Sequence, residues 1–135
     1  MKKRILIVDD EPPIRKLFAR TIGTENYAIR AAASGVEALA LLKNDPADLV
    51  LLDLNMPELD GADTLAEIRK IDQAVPVFII TSFKDAFFDK LKILRDAGIQ
   101  FEVINKPVEK EHLRELVESV LYGPGDQAAG GEQCK

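Results

Sequence analysis

Residues 5–8, the interior of residues 48–54 and residues 77–80 are unbroken apolar runs, rich in Val, Ile and Leu. A strand with one wet face alternates apolar and polar residues, so runs like these predict strands covered on both sides, as in a parallel sheet clad by helices. Between them apolar residues return at helical spacing: Ile14, Leu17, Phe18, Thr21 and Ile22, then Leu39 and Leu42, then Leu65, Ile68 and Ile71. Phe87, Leu91 and Leu94 mark a fourth helix, and Leu113, Leu116, Val117, Val120 and Leu121 a fifth. Pro12 and Pro13 suit a first helical turn, Ser34 and Glu37 form a capping box, and Gly23 and Gly98 end helices. Weaker strands are expected at residues 27–31 and 99–104. Five strand–helix alternations imply right-handed crossovers and place a ligand site at the carboxyl ends of the strands.

The 135 residues fit one domain, expected over residues 1–122. Residues 123–135, GPGDQAAGGEQCK, are too poor in apolar side chains to pack, which predicts a disordered tail or linker remnant. Cys134 has no partner in the chain, so no disulfide is available. The apolar run behind Met1, Lys2, Lys3 and Arg4 is too short for a signal peptide or a membrane span, and a cytoplasmic protein without a membrane partner is expected. A net charge of −5 argues against a broad nucleic-acid-binding face, which needs clustered Lys and Arg.

The first apolar run breaks into three adjacent carboxylates, Asp9, Asp10 and Glu11, and the third strand ends in Asp53. If those strands are neighbours, the acids converge, at a cost of several kcal/mol or of raised pKa values. A divalent cation removes that cost, and two or three carboxylates with room for water suit Mg²⁺. Asp53 could then act as a nucleophile toward a phosphoryl group, with Thr81 donating a hydrogen bond to it and Lys106 supplying positive charge. Taken singly, each of Asp9, Asp10 and Glu11 is more readily explained as a helix cap than as a metal ligand, Thr81 could be a strand-end hydroxyl and Lys106 a solvated charge. Asp45, Asp48, Asp60 and Asp63 read as turn and cap residues, and His112 as a solvent-facing side chain.

Taken together, VDDE at residues 8–11, DLNMPELDG at 53–61, Thr81–Ser82 and NKP at 105–107 resemble the receiver domain of two-component response regulators, from Lys3 to about Leu121. The resemblance implies a flavodoxin-like, doubly wound α/β fold with a five-stranded parallel sheet in the order 2-1-3-4-5. It implies a phosphoacceptor signalling switch, not a turnover enzyme, in which Asp53 takes a phosphoryl group from a histidine kinase or histidine phosphotransfer protein. It further implies Mg²⁺ held directly by Asp10, directly or through water by Asp9, by Asp53 and by the main-chain carbonyl of Asn55. Thr81 and Lys106 match the phosphoryl-sensing hydroxyl and the site lysine, Pro57 and Gly61 match the loop that shapes the site, and the Lys106–Pro107 bond would be cis. A downstream protein target, a homodimer through the last two helices and fifth strand, and no DNA-binding output domain within these residues complete the expectation.

Two features depart from the family pattern. Val103 stands where relatives carry Tyr or Phe, and the segment from Gly98 to Pro107 is about one residue longer than usual. Either Phe101 replaces that ring from a shifted position or switching uses no ring. A haloacid-dehalogenase-like phosphatase also uses an aspartyl nucleophile with Mg²⁺, but it needs a second Asp where this chain has Asn55, and a cap domain. A phosphate-independent interaction module is favoured only by Val103. Phe83, two residues past Thr81, would screen an acyl phosphate from water. After acetyl phosphate is removed, the phosphorylated protein should therefore decay faster in Phe83→Ala; an unchanged decay rate would contradict this.

Overall fold

The computed structural model describes residues 2–82 and 88–127, with only the backbone given for Phe88 and residues 123–127. Phe83 and Phe87 fall outside these residues. The chain alternates β1 (Lys3–Val8), α1 (Pro12–Ile22), β2 (Tyr27–Ala32), α2 (Gly35–Asn44), β3 (Leu49–Asp53), α3 (Gly61–Ile71), β4 (Val77–Thr81), α4 (Phe88–Asp96), β5 (Glu102–Asn105) and α5 (Lys110–Gln127). The strands form one parallel sheet in the order β2-β1-β3-β4-β5, as the resemblance implied.

Successive side chains of a strand point to opposite faces, so each apolar run feeds two cores. Leu6, Val8, Val50, Leu52 and Ile79 pack against α2, α3 and α4 through Ala38, Leu42, Leu65, Ile68 and Leu91. Ile5, Ile7, Leu49, Leu51 and Ile80 pack against α1 and α5 through Phe18, Ile22, Leu113 and Val117. Burial on both faces is why these strands contain no alternating polar residues.

Local chemistry sets the boundaries. Ser34 Oγ accepts from Glu37 N at 3.1 Å, while Glu37 Oε1 accepts from Ala33 N at 2.8 Å, closing the capping box around the start of α2. The fifth strand is shorter than expected. Ile99 N donates to Leu94 O to finish α4, and the carbonyl of Gln100 accepts from Arg69 Nη2 at 2.8 Å, so pairing with β4 begins only at Glu102. Helix α5 is assigned to Gln127, further than the expected end at residue 122.

The β3–α3 connection is tightly wound. Gly61 N donates to Leu54 O at 2.9 Å, and a Cβ on Gly61 would stand 2.5 Å from the carbonyl oxygen of Asp53 and 2.7 Å from Leu54 Cα. Both obstacles are backbone, so relief requires the loop to move. Gly61→Ala should therefore destabilise the fold by about 1–3 kcal/mol in urea titrations.

Candidate functional site

The strand order makes β1 and β3 neighbours, with Val8 opposite Leu52, so the residues that follow them meet at one edge of the sheet. Carboxylate oxygens of Asp9, Asp10 and Asp53 all lie within 4.8 Å of one another. Asp9 and Asp53 are buried, and Asp10 is the most open of the three. The acids do not serve as caps of α1. Glu11 is the N-cap residue but makes no side-chain cap bond, and Asp9 Oδ1 accepts from Glu11 N at 2.9 Å in a turn ahead of the helix. Pro12 and Pro13 have no N–H to satisfy, and the N–H groups of Ile14 and Arg15 are taken by the Glu11 carbonyl.

Lys106 approaches from β5, with Nζ 3.2 Å from Asp53 Oδ1. The contact is an ion pair outside hydrogen-bonding geometry, and Asp53 Oδ1 is a buried oxygen with no hydrogen-bond partner among the described residues. Thr81 ends β4 and is fully buried; its register partner is Asn105, and its carbonyl accepts from Lys106 N at 2.7 Å. The Lys106–Pro107 bond is cis. Asn55 lies exposed two residues beyond Asp53, and Glu58 in the same loop has a φ of 66°.

Charge balance within the site is unfavourable. Burial, and then the charge of Asp9, push the Asp53 carboxyl up to about 6 in spite of Lys106. Burial also raises Asp9, against the backbone N–H of Glu11. Two raised carboxylates and one lysine leave the cluster short of positive charge. An all-oxygen donor set, in which a buried Asp53 oxygen has an ion pair but no hydrogen bond among the described residues, fits a hard divalent cation.

The structure thus brings together Asp9, Asp10, Asp53 and Lys106, places Thr81 beside Lys106 along the strand ends, and sets Asn55 in the adjoining loop. The sequence did not point to Arg15, whose Nη1 donates to the Asp9 carbonyl at 2.7 Å and fastens the acidic turn to α1. Its position one helical turn past Glu11 is the only local signal. Phe101 lies in the α4-side core just ahead of β5, with the Arg95 guanidinium 4.5 Å from its ring centroid, whereas Thr81 pairs with Asn105 at the other end of that strand. It therefore does not occupy the place of the missing ring, and Val103 is 38% exposed. His112 is exposed, as expected.

Comparison with known proteins places this geometry in a family. The sequence pattern of the response regulator receiver domain matches residues 5–118, and the chain belongs to that family, whose members are parts of two-component response regulators. It is 36% identical over 120 residues to the transcriptional regulatory protein GlrR of Escherichia coli, a match covering 87% of this chain and 26% of that protein. It is 33% identical over 121 residues to the response regulator MprA of a Mycobacterium species, covering 90% of this chain and 51% of the relative. The chain therefore spans between a quarter and about half of these relatives. Among solved structures, a CheY-like receiver domain protein of Methanospirillum hungatei superposes with a TM-score of 0.79 at 28% identity, covering 90% of this chain and 94% of the other. The receiver domain of NtrX from Brucella abortus gives 0.73 at 31% identity, covering 87% and 97%.

The raised Asp53 carboxyl has a consequence for stability. Its folded value of about 6 lies above the ordinary 3.8. Ionised Asp53 therefore destabilises the fold at any pH above about 6, and the cost disappears below about pH 4, where the group is protonated in both states. Asp53→Asn should stabilise the protein at neutral pH by about 1–3 kcal/mol, with the gain fading as the pH falls through that window. Urea titrations at neutral and acid pH check this; an equal gain at both would contradict it.

Proposed function

We propose that this chain is a phosphoacceptor switch, with Asp53 taking a phosphoryl group from a phosphohistidine on a sensor histidine kinase or histidine phosphotransfer protein. The observation that carries the reading is the convergence of three carboxylates from the ends of β1 and β3 with one lysine from the end of β5. At neutral pH, above its value of about 6, Asp53 is an ionised nucleophile. A carboxylate oxygen attacks phosphorus, the P–O bond forms as the P–N bond to the donor imidazole breaks, and the imidazole leaves with the bond electrons and takes up a proton.

Asp9, Asp10, Asp53 and the main-chain carbonyl of Asn55 would hold Mg²⁺, which when bound supplies positive charge to the phosphoryl oxygens. Lys106 meets the charge developing on those oxygens from the β5 side, and the Thr81 hydroxyl donates to one of them once the acyl phosphate has formed. The chain is modified and slowly loses the group; it does not turn over a substrate. A second Asp in place of Asn55, which a phosphatase of the aspartyl-nucleophile type requires, is missing.

Phosphate would stabilise a minor conformation of the α4–β5–α5 face and change its affinity for a downstream protein. That face has features suited to pairing with a second copy. Ile93 is 66% exposed between the bases Lys90, Lys92 and Arg95 of α4, while α5 presents Glu111, Glu115 and Glu118 to solvent. A two-fold arrangement would set the bases of one copy against the acids of the other. Among the described residues no helix is long and apolar enough to cross a membrane. The cytoplasm, where phosphohistidine donors are made from ATP, is the compartment this chemistry needs.

Incubation with acetyl phosphate and Mg²⁺ should add the mass of one phosphoryl group, located at Asp53 after borohydride reduction and peptide mapping. Asp53→Asn or EDTA should abolish the increment, and Lys106→Ala should slow its appearance by roughly 10–100-fold. Modification at another residue, or an increment unaffected by Asp53→Asn, would overturn the assignment.

A further inference from the structure

We propose that Lys90 is a positioning residue that latches α4 to the loop behind Asp53 and thereby sets how readily the phosphorylated conformation forms; this rests on the phosphoacceptor reading of Asp53. Lys90 lies in the first turns of α4, with Nζ 2.8 Å from Asp60 Oδ2 and 3.3 Å from Asp63 Oδ2. Asp60 is buried and already committed. Its other oxygen, Oδ1, accepts from Asp63 N at 2.9 Å and caps α3. One carboxylate thus serves two helices, with its orientation fixed by the cap.

This differs from the pairs Lys92–Asp96 and Lys70–Glu67, which lie within single helices between exposed side chains and are solvated surface contacts. Asp60 is also fastened to the acceptor strand. The next residue, Gly61, bonds Leu54 O through its N–H and lies so close to Asp53 that a Cβ there would overlap the Asp53 carbonyl. A backbone shift at residues 53–54 therefore moves Asp60, and Lys90 transmits that shift to α4 or resists it.

Among the described residues α4 is otherwise held by Leu91, which is buried, by Leu94, which packs against the core, and by Arg95 over the Phe101 ring, whereas Asp89, Lys92 and Ile93 are exposed. The ion pair to a buried, oriented carboxylate is the contact that ties the start of the helix to the loop behind Asp53. By linkage, a contact present in the resting form and lost in the modified form opposes modification, and its removal favours modification by the same factor.

The experiment compares beryllofluoride affinity in the presence of Mg²⁺, followed by NMR titration, for wild type, Lys90→Met, Lys90→Arg and Asp60→Asn. The asparagine keeps an oxygen for the α3 cap but loses the charge that Lys90 meets. Lys90→Met and Asp60→Asn should each bind beryllofluoride roughly fivefold more tightly than wild type, and Lys90→Arg should stay close to wild type. A merely structural role would lower the melting temperature while leaving the affinity equal or weaker. Wild type that binds while Lys90→Met binds no better overturns the latch alone; wild type that takes up no beryllofluoride overturns the phosphoacceptor reading and the latch with it.

Discussion

Repulsion among Asp9, Asp10 and Asp53 is the constraint on which the rest of the structure depends. Two of these groups are buried, and burial raises both pKa values, so the fold holds negative charge where an isolated protein interior would expel it. Lys106 offsets part of this from β5 but leaves Asp53 Oδ1 without a hydrogen bond among the described residues. A cation would neutralise the cluster, and a phosphoryl group arriving at Asp53 would shift the balance again. If Asp53 is the phosphoacceptor proposed above, one covalent event there would shift the relative stability of two conformations, because electrostatic energies of a few kcal/mol are a large fraction of total folding stability.

The rest of the fold carries this cost. Two separate cores, one on each face of the sheet, clamp β1 and β3 through side chains that are almost wholly inaccessible, including Ile5, Leu6, Leu49 and Leu52. Because both strands are buried on both faces, a one-residue slip would exchange the packing partners of every side chain. The register that brings Asp9 and Asp53 together is therefore held by hydrophobic packing and not by any attraction between the acids. The bond from Lys106 N to Thr81 O does the equivalent on the other side, fixing the lysine-bearing turn to the end of β4.

The central strands, the parallel sheet and the acidic cluster were legible in the sequence because each rests on a local signal. An apolar run with no polar alternation is visible in residues 5–8 and 49–52, and a carboxylate such as Asp53 at the end of such a run has few structural explanations. Contacts between distant surface side chains left no such trace. Arg69 takes the Gln100 carbonyl from across the fold and shortens β5, and Lys90 reaches Asp60 from another helix. Each of these residues, taken alone, is an ordinary charge on a solvated face. Arg15 is intermediate: its place one helical turn past Glu11 is a local signal, but its target is a backbone carbonyl, which no side-chain pattern reveals. The end of α5 shows the converse, since the lack of apolar side chains from residue 123 onward suggested an earlier stop than Gln127.

Val103 raises the question of how a change at Asp53 reaches the outer surface. With valine at this position there is no ring to swing inward, and Phe101 is held in the α4-side core beneath Arg95. Two connections from the site remain. One runs through Thr81 and its backbone bond to Lys106, whose displacement would move the end of β5 and the start of α5. The other runs from the Asp53 backbone through Gly61 to Asp60 and so to α4. Both run through main-chain contacts and charge. The exposed Ile93 and Val103 lie on the elements that these two connections would displace, α4 and β5, so a shift of either alters apolar surface that the resting form already offers to solvent.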